Sequence, residues 1–473
     1  MRVKFSSFLT EAKPFLENLL KKLSQEYEYV SILGSDTFSK RYIVTTKDTN
    51  IGDSSWNERG FVVRVYNGIN YSEFSFNEIA DVEEIVDKIR NDLIVTSDRF
   101  KRSGRISKYP LIEEAELEGS FEENVEILPS KISTDEKVRK LSAMKDRAYK
   151  ISSKLVNFWV IYEEVNVNKY FLSTKRRLSQ SYVWSQGYLQ AFARDAEKTK
   201  YSYEGFSGLK GVELLDEMEN GVEKVVKEAE TLLGSEKIEP GEYDVICSPD
   251  VAGLIAHEAF GHGVEMDMFV KERAKATEYM GKEIASPLVT MHDGAAAARQ
   301  VSSYFFDDEG TLATDTVIID HGILKTGISD LLSAMKLGTR PTGNGKRESF
   351  ERKAYSRMTN TFFASGQDKL EDMISSIKYG YLLEKMSSGM EDPKNWGIQC
   401  MILYGREIKE GKLTDRIVSP IIMTGYVPAL LKSISMVSED LQLSGTGACG
   451  KGHKEFVKVS SGGPYIKAKV RLG

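Results

Sequence analysis

The stretch Ala256-His257-Glu258-Ala259-Phe260-Gly261-His262-Gly263 places two of the chain's five histidines within one short segment, with a glutamate directly after the first. The apolar run Val251-Ala252-Gly253-Leu254-Ile255 precedes it, entered through Ser248-Pro249-Asp250. A buried helix there must carry polar groups inside the fold. Imidazoles and a carboxylate so placed are what a divalent metal takes from a helix: nitrogen ligands, and a base for its water. In H-E-x-x-H the histidines lie four apart, about 40° around a helix of about 100° per residue. Here they lie five apart, about 140° on the same arithmetic, so a regular helix cannot aim both at one ion. The helix must be reshaped, by a π-bulge or by an end at Gly261 with His262 in the next turn. Glycines at 261 and 263 permit either. Without a third ligand, a capped buried helix whose histidines satisfy backbone groups explains the pattern equally well.

The segment Gly445-Thr446-Gly447-Ala448-Cys449-Gly450-Lys451-Gly452 offers that ligand, a cysteine among glycines able to turn its sulfur toward another segment. Cys247 and Cys400 sit in β-type runs and read as small buried hydrophobes. Three widely spaced cysteines make no disulfide framework. A net charge of −6 with no basic stripe argues against nucleic acid as partner. No apolar run reaches membrane-spanning length, and residues 1–9 read as the start of an amphipathic helix and not as a signal peptide. A cytoplasmic protein is expected.

The 473 residues predict more than one domain. A helix over 6–27, kinked or restarted at Pro14, precedes β-type runs at 29–33, 41–45 and 60–66. Asn67-Gly68 then joins the last run to 71–76 as a hairpin. A second helix is expected over 77–93, with Ile79, Val82, Ile85, Val86 and Ile89 on one face. Residues 100–133 form a linker or extended arm. A helix capped at Ser133 follows to 153, then long strands at 155–173 and 180–193, then a charged helix over 212–233. Further strands are expected at 244–247, 283–290, 317–319, 323–324, 398–404, 417–423, 456–459 and 465–470. The fold class is α+β: an N-terminal α/β portion (1–238, subdivided near 100–133) and a β-rich C-terminal domain (239–473) holding the histidine helix.

Other polar groups carry less. Glu265 and Asp267 lie just past His262, placed either to orient a ligating imidazole or to form a solvated helix end. Asp307, Asp308 and Glu309, followed by Gly310, read either as a metal-binding acidic cluster or as an acidic turn. His292 and His321 precede turns and read as structural. His453 lies in a Lys/Gly-rich loop and is left out of the site. Arg340, Arg347, Arg352 and Arg357 form a basic loop that could contact a peptide carboxylate or backbone and reads more readily as solvated.

Taken together, His257-Glu258-x-x-x-His262, Gly263-Val264-Glu265-x-Asp267 and Gly447-Ala448-Cys449-Gly450-Lys451 resemble the TldD/PmbA family of metalloproteases. Asp307-Asp308-Glu309-Gly310, Thr342-Gly343-Asn344, Arg357-Met358-Thr359-Asn360-Thr361 and Gly463-Pro464 match as well, as does the Gly60–Gly68 hairpin. With both histidines and the cysteine present, the chain resembles the TldD branch, whereas the PmbA (TldE) branch has lost the motif. The resemblance implies that His257, His262 and Cys449 ligate zinc and that Glu258 acts as general base on the metal-bound water. It also implies cleavage of short or unfolded peptides, in peptide maturation or turnover, and assembly as a homodimer or with a PmbA-like subunit. Addition of an extended peptide to a sheet edge would suit such substrates. The rival expectation is a non-catalytic, metal-containing partner or regulatory subunit.

Overall fold

Side chains alternate faces along a strand, and in the N-terminal half both parities are apolar. The computed structural model describes residues 1–79, 81–103, 108–452 and 455–473. His453 lies outside them. An eight-stranded sheet is built around Val30–Val44, Leu155–Ser173 and Arg176–Asp195. Val30, Ile32, Phe158, Val160 and Leu172 project to one face and pack under the helices Ser7–Leu23, Thr134–Ile151 and Leu214–Leu232. Leu33, Val165, Val167 and Phe171 project to the other, where Val301 and Phe306 of the C-terminal half cover them. Burial on both faces explains why these strands read as nearly continuous apolar runs.

The C-terminal half holds a closed barrel and a second sheet. Tyr379–Glu391, Gly241–Cys247, Ile466–Leu472, Ile421–Tyr426 and Gly397–Lys409 pair in that order, and the last pairs back with the first. Closure removes open edges. Beside it, Met291–Asp293, Asn360–Phe363 and Ser460–Gly463 form the centre of a six-stranded sheet. The histidine helix lies between the two, with Val251, Ala252, Ile255, Ala256, Ala259 and Phe260 fully buried. A Cβ at Gly253 would sit 2.6 Å from the Gly462 nitrogen, so the helix lies directly against that sheet's backbone.

Several expectations shift. The first helix runs unbroken through Pro14, because Leu9, Ala12, Leu16, Leu19, Leu20 and Leu23 bury one continuous stripe that outweighs the lost hydrogen bond. The second begins at Val82, which leaves Ile79 exposed. Within the expected arm, Leu117–Glu122 joins the large sheet in parallel with Arg176–Asp195. A strand not anticipated, Lys198–Gly208, extends it. Residues 283–290 form no strand, and the pairing falls instead on Met291–Asp293. The turn at Asp320-His321-Gly322 forms as expected, with both His321 and Gly322 at positive φ.

Candidate metal centre

The helix begun at Pro249 changes pitch at Ile255 and continues as a π-turn to Gly261, passing into a 3-10 turn over His262–Val264. Hydrogen bonding from i to i+5 stacks residues five apart, so the spacing that fails on an α-helix brings His257 and His262 to one side. Gly261 has ordinary helical angles (φ −59, ψ −45), so the helix does not end there. What residue 261 must lack is volume. A Cβ would lie 2.2 Å from the Met358 sulfur and 3.0 Å from the Ala256 carbonyl oxygen. At Gly263 a Cβ would meet Glu391 Oε1 at 2.7 Å and Trp396 Nε1 at 3.1 Å.

Cys449 arrives on a hairpin, Ala448–Lys451 paired with Glu455–Lys458. Its sulfur lies 3.4 Å from His262 Nε2, and donor atoms of His257, His262 and Cys449 all fall within 4.8 Å of one another. The imidazole planes are nearly perpendicular, at 83°, so the rings present edges to a common point. Burial raises the Cys449 thiol, but His257 and His262 outweigh it and hold it well below its ordinary range. Burial lowers His262, while Glu265 and Cys449 raise it well above its own. The Cys449 thiolate thus faces a protonated His262.

Glu258 stands between the histidines, with its carboxylate oxygens 3.9 Å from His257 Nε2 and 3.8 Å from His262 Nε2. At 27% side-chain exposure, against 7% and 19% for the histidines, it is the member that opens to the outside. It lines two cavities of about 710 Å³, one toward Tyr203 of the large sheet and Tyr404 of the barrel, and one toward Tyr355 and Lys451. Gly389 makes room for it, since a Cβ there would lie 2.8 Å from the Glu258 side chain.

Around the triad, Glu265 Oε2 lies 3.3 Å from His262 Nδ1. Burial opposes its charge, but Lys451, His262 and Arg357 hold the Glu265 carboxylate far below the usual range. Asp267 bonds Lys451 and Lys271 and does not touch the histidines. Arg357 and Arg347 are not solvated. Their side chains are 1% and 5% exposed, one facing Glu265 and the other paired with Glu73 of the large sheet. Arg340 and Arg352 remain exposed, as expected. Sequence reasoning missed Arg357 and Lys451 as neighbours of the site, although each stands inside a stretch that carried the resemblance. Asp307 caps its own turn, accepting from the amides of Glu309 and Thr311, while Asp308 and Glu309 pair Lys169 and Arg64 of the large sheet. His292 bonds Asp315 and stacks on Phe362, and His321 bonds Asp320 at the surface. Neither approaches the triad's cluster.

Residues 240–471 match the PmbA/TldA metallopeptidase C-terminal domain. A "Metalloprotease TldD homolog" of Buchnera aphidicola is 36% identical over 239 residues, 50% of this chain and 48% of the relative. A "Zinc metalloprotease TldD homolog" of Saccharolobus solfataricus is 33% identical over 230 residues, 48% of this chain and 51% of the relative. The matched chain thus spans about half the length of these two. A metalloprotease of Methanocaldococcus jannaschii is 26% identical over 95% of this chain and 97% of its own. In fold, TldE of Thermococcus kodakarensis superposes with a TM-score of 0.75 at 17% identity, over 97% of this chain and 99% of that one. The chain belongs to the TldD/PmbA family.

Proposed function

We propose that this chain is a zinc-dependent metallopeptidase of the TldD type that cleaves short or unfolded peptides. The observation that carries the reading is the convergence of His257, His262 and Cys449 on one point, with Glu258 beside them at the meeting of two cavities. The donor set suits zinc. Bonds of about 2.0–2.3 Å at tetrahedral angles separate ligand atoms by about 3.4–3.7 Å, and the sulfur and the His262 nitrogen lie 3.4 Å apart. Two nitrogens and a thiolate leave a further position free.

A zinc ion held there would supply Lewis acidity toward a water molecule and a peptide carbonyl. Glu258 accepts the proton from the attacking water and returns it to the departing amine, as general base and then general acid. Glu265 accepts the Nδ1 proton of His262, fixing its tautomer so that Nε2 faces the donors. One cavity lies between the large sheet and the C-terminal half and the other within the C-terminal half, and together they offer an extended chain a path past Glu258. The division between the two domains is placed at 238/239.

The same reading includes assembly as a homodimer or with a PmbA-like subunit. It also includes a cytoplasmic location, since Cys247, Cys400 and Cys449 are all unpaired thiols. No described helix is long and apolar enough to cross a membrane. Metal analysis of the wild type and of Cys449→Ala tests the centre. One zinc per wild-type chain and a loss in the variant are expected, and equal zinc in both refutes the ligand set.

A further inference from the structure

Arg357 lies outside the triad, yet it touches both segments that bring the triad together. Its Nη2 donates to the Cys449 carbonyl at 2.6 Å and its Nη1 to the Glu455 carbonyl at 3.1 Å. It therefore grips both strands of the cysteine hairpin. Its Nε faces Glu265 Oε1 across 3.7 Å as an ion pair, and neither atom has a hydrogen-bond partner among the described residues. Glu265 in turn meets His262 through its second oxygen. Lys451, two residues past Cys449, closes the circuit from the hairpin side, 2.9 Å from Glu265 Oε2.

The guanidinium is held from behind. The Arg357 amide donates to the Asn344 carbonyl, and Asn344 Nδ2 donates back to the Arg357 carbonyl, both at 3.0 Å. With the side chain 1% exposed, its charge is committed to this place. A backbone fixed by a buried asparagine, and a head group bonded to two carbonyls and ion-paired with a carboxylate, leave the arginine little freedom.

We propose that Arg357 is a positioning residue: by holding the Cys449 carbonyl and the Glu265 carboxylate at once, it sets the distance between the cysteine hairpin and the histidine helix before metal enters. The proposal rests on the metal-centre reading above. A planar fork with five donors can span two carbonyls and a carboxylate, and an ammonium of similar charge cannot. Without it, the Lys451–Glu265 pair and the Cys449–His262 contact are left to tie the hairpin to the histidine segment, and the thiolate must be ordered at the expense of binding energy.

The test is competitive zinc titration of wild type, Arg357→Lys and Arg357→Ala, with the melting temperature of each metal-free protein measured alongside. The expected result is zinc affinity weakened about 10–100-fold in both variants, with the metal-free Arg357→Lys protein melting as the wild type does. Glu265→Gln, which keeps the shape of its side chain, provides a second route should Arg357→Ala fail to fold. It should weaken zinc as well, and its effect with Arg357→Lys should be less than additive. Arg357→Lys binding zinc as tightly as wild type overturns the inference, as does a loss of affinity that only tracks a loss of melting temperature. A wild-type protein that binds no zinc refutes the metal-centre reading itself, a different result from either.

Discussion

Gly261 and Met358 are packed so closely that one added carbon at 261 would fall 2.2 Å from the methionine sulfur. The contact lies one residue before His262 and fixes how the π-turn seats against the sheet strand that follows Met358. Gly261→Ala should therefore cost about 1–3 kcal/mol through overpacking, and weaken metal binding in proportion to the displacement of His262. Shortening the neighbour relieves the clash. Thermal melting of Gly261→Ala alone and with Met358→Ala checks this: the double variant should be less destabilised than the sum of the singles.

Lys385 joins the two halves of the molecule at the lip of the cleft. It lies in the barrel strand Tyr379–Glu391 but adopts φ +64, a left-handed angle that a non-glycine residue holds only under constraint. Its ammonium reaches Glu204 at 2.9 Å and Glu228 at 2.5 Å, on the sheet and helix of the N-terminal half. Four residues on, Gly389 touches Glu258. Lys385→Met should lower stability by about 1–3 kcal/mol, since Glu228 loses its cation and Glu204 is left with Lys224, while both keep some solvent. It should also raise KM more than it lowers kcat, because the cleft wall moves and the triad does not. Urea unfolding and steady-state kinetics separate the two effects.

Removing the metal should not unfold the protein. The histidine helix is packed by its own apolar residues between barrel and sheet, so its burial does not wait on a ligand. Chelated protein is expected to keep a cooperative melting transition, shifted down only by the free energy that binding adds. A small domain that folds around its metal would behave in the opposite way. Calorimetry with and without chelator distinguishes them.

Acid should loosen the tie between the large sheet and the 345–356 loop. Burial by itself raises the Glu73 carboxyl, but Arg64 and Arg347 overcome it and hold it far below the usual carboxylate range. A carboxylate depressed on folding contributes stability that is present above its unfolded value, near 4.3. That stability is lost as pH falls through the folded one. Glu73→Gln should cost stability at pH 7 and less at pH 3, where the unfolded chain has taken up the proton that the folded carboxylate still refuses. The difference in urea midpoints between wild type and variant, measured at both pH values, reads this directly.

The parts of the fold legible in the sequence are those set by local pattern. The Ser133 cap accepts the Glu136 amide, and the strands near 155–173 and 180–193 form where their apolar runs lie. The five-residue histidine spacing demanded a reshaped helix, and the π-turn is one of the two forms it allowed. Choosing between them needed Met358, a contact across about a hundred residues that no local pattern reports. Arg357 was hidden for the same reason. Four arginines in a polar stretch look alike until Asn344 and the cysteine hairpin bury one of them. The strand expected at 283–290 failed because its apolar residues serve irregular backbone packed against the histidine region, with Ile284 and Ala285 fully buried outside any ladder.

The central claim is that Glu258 works beside a metal held by His257, His262 and Cys449. The most direct measurement is cleavage of an unfolded peptide by wild type and Glu258→Gln at matched zinc content. The predicted result is that both proteins hold one zinc per chain and that the variant is slower by about 10²–10⁴-fold, the usual weight of a general base. A zinc-loaded Glu258→Gln that cleaves at the wild-type rate, or a zinc-loaded wild type that cleaves no unfolded peptide, would contradict the account.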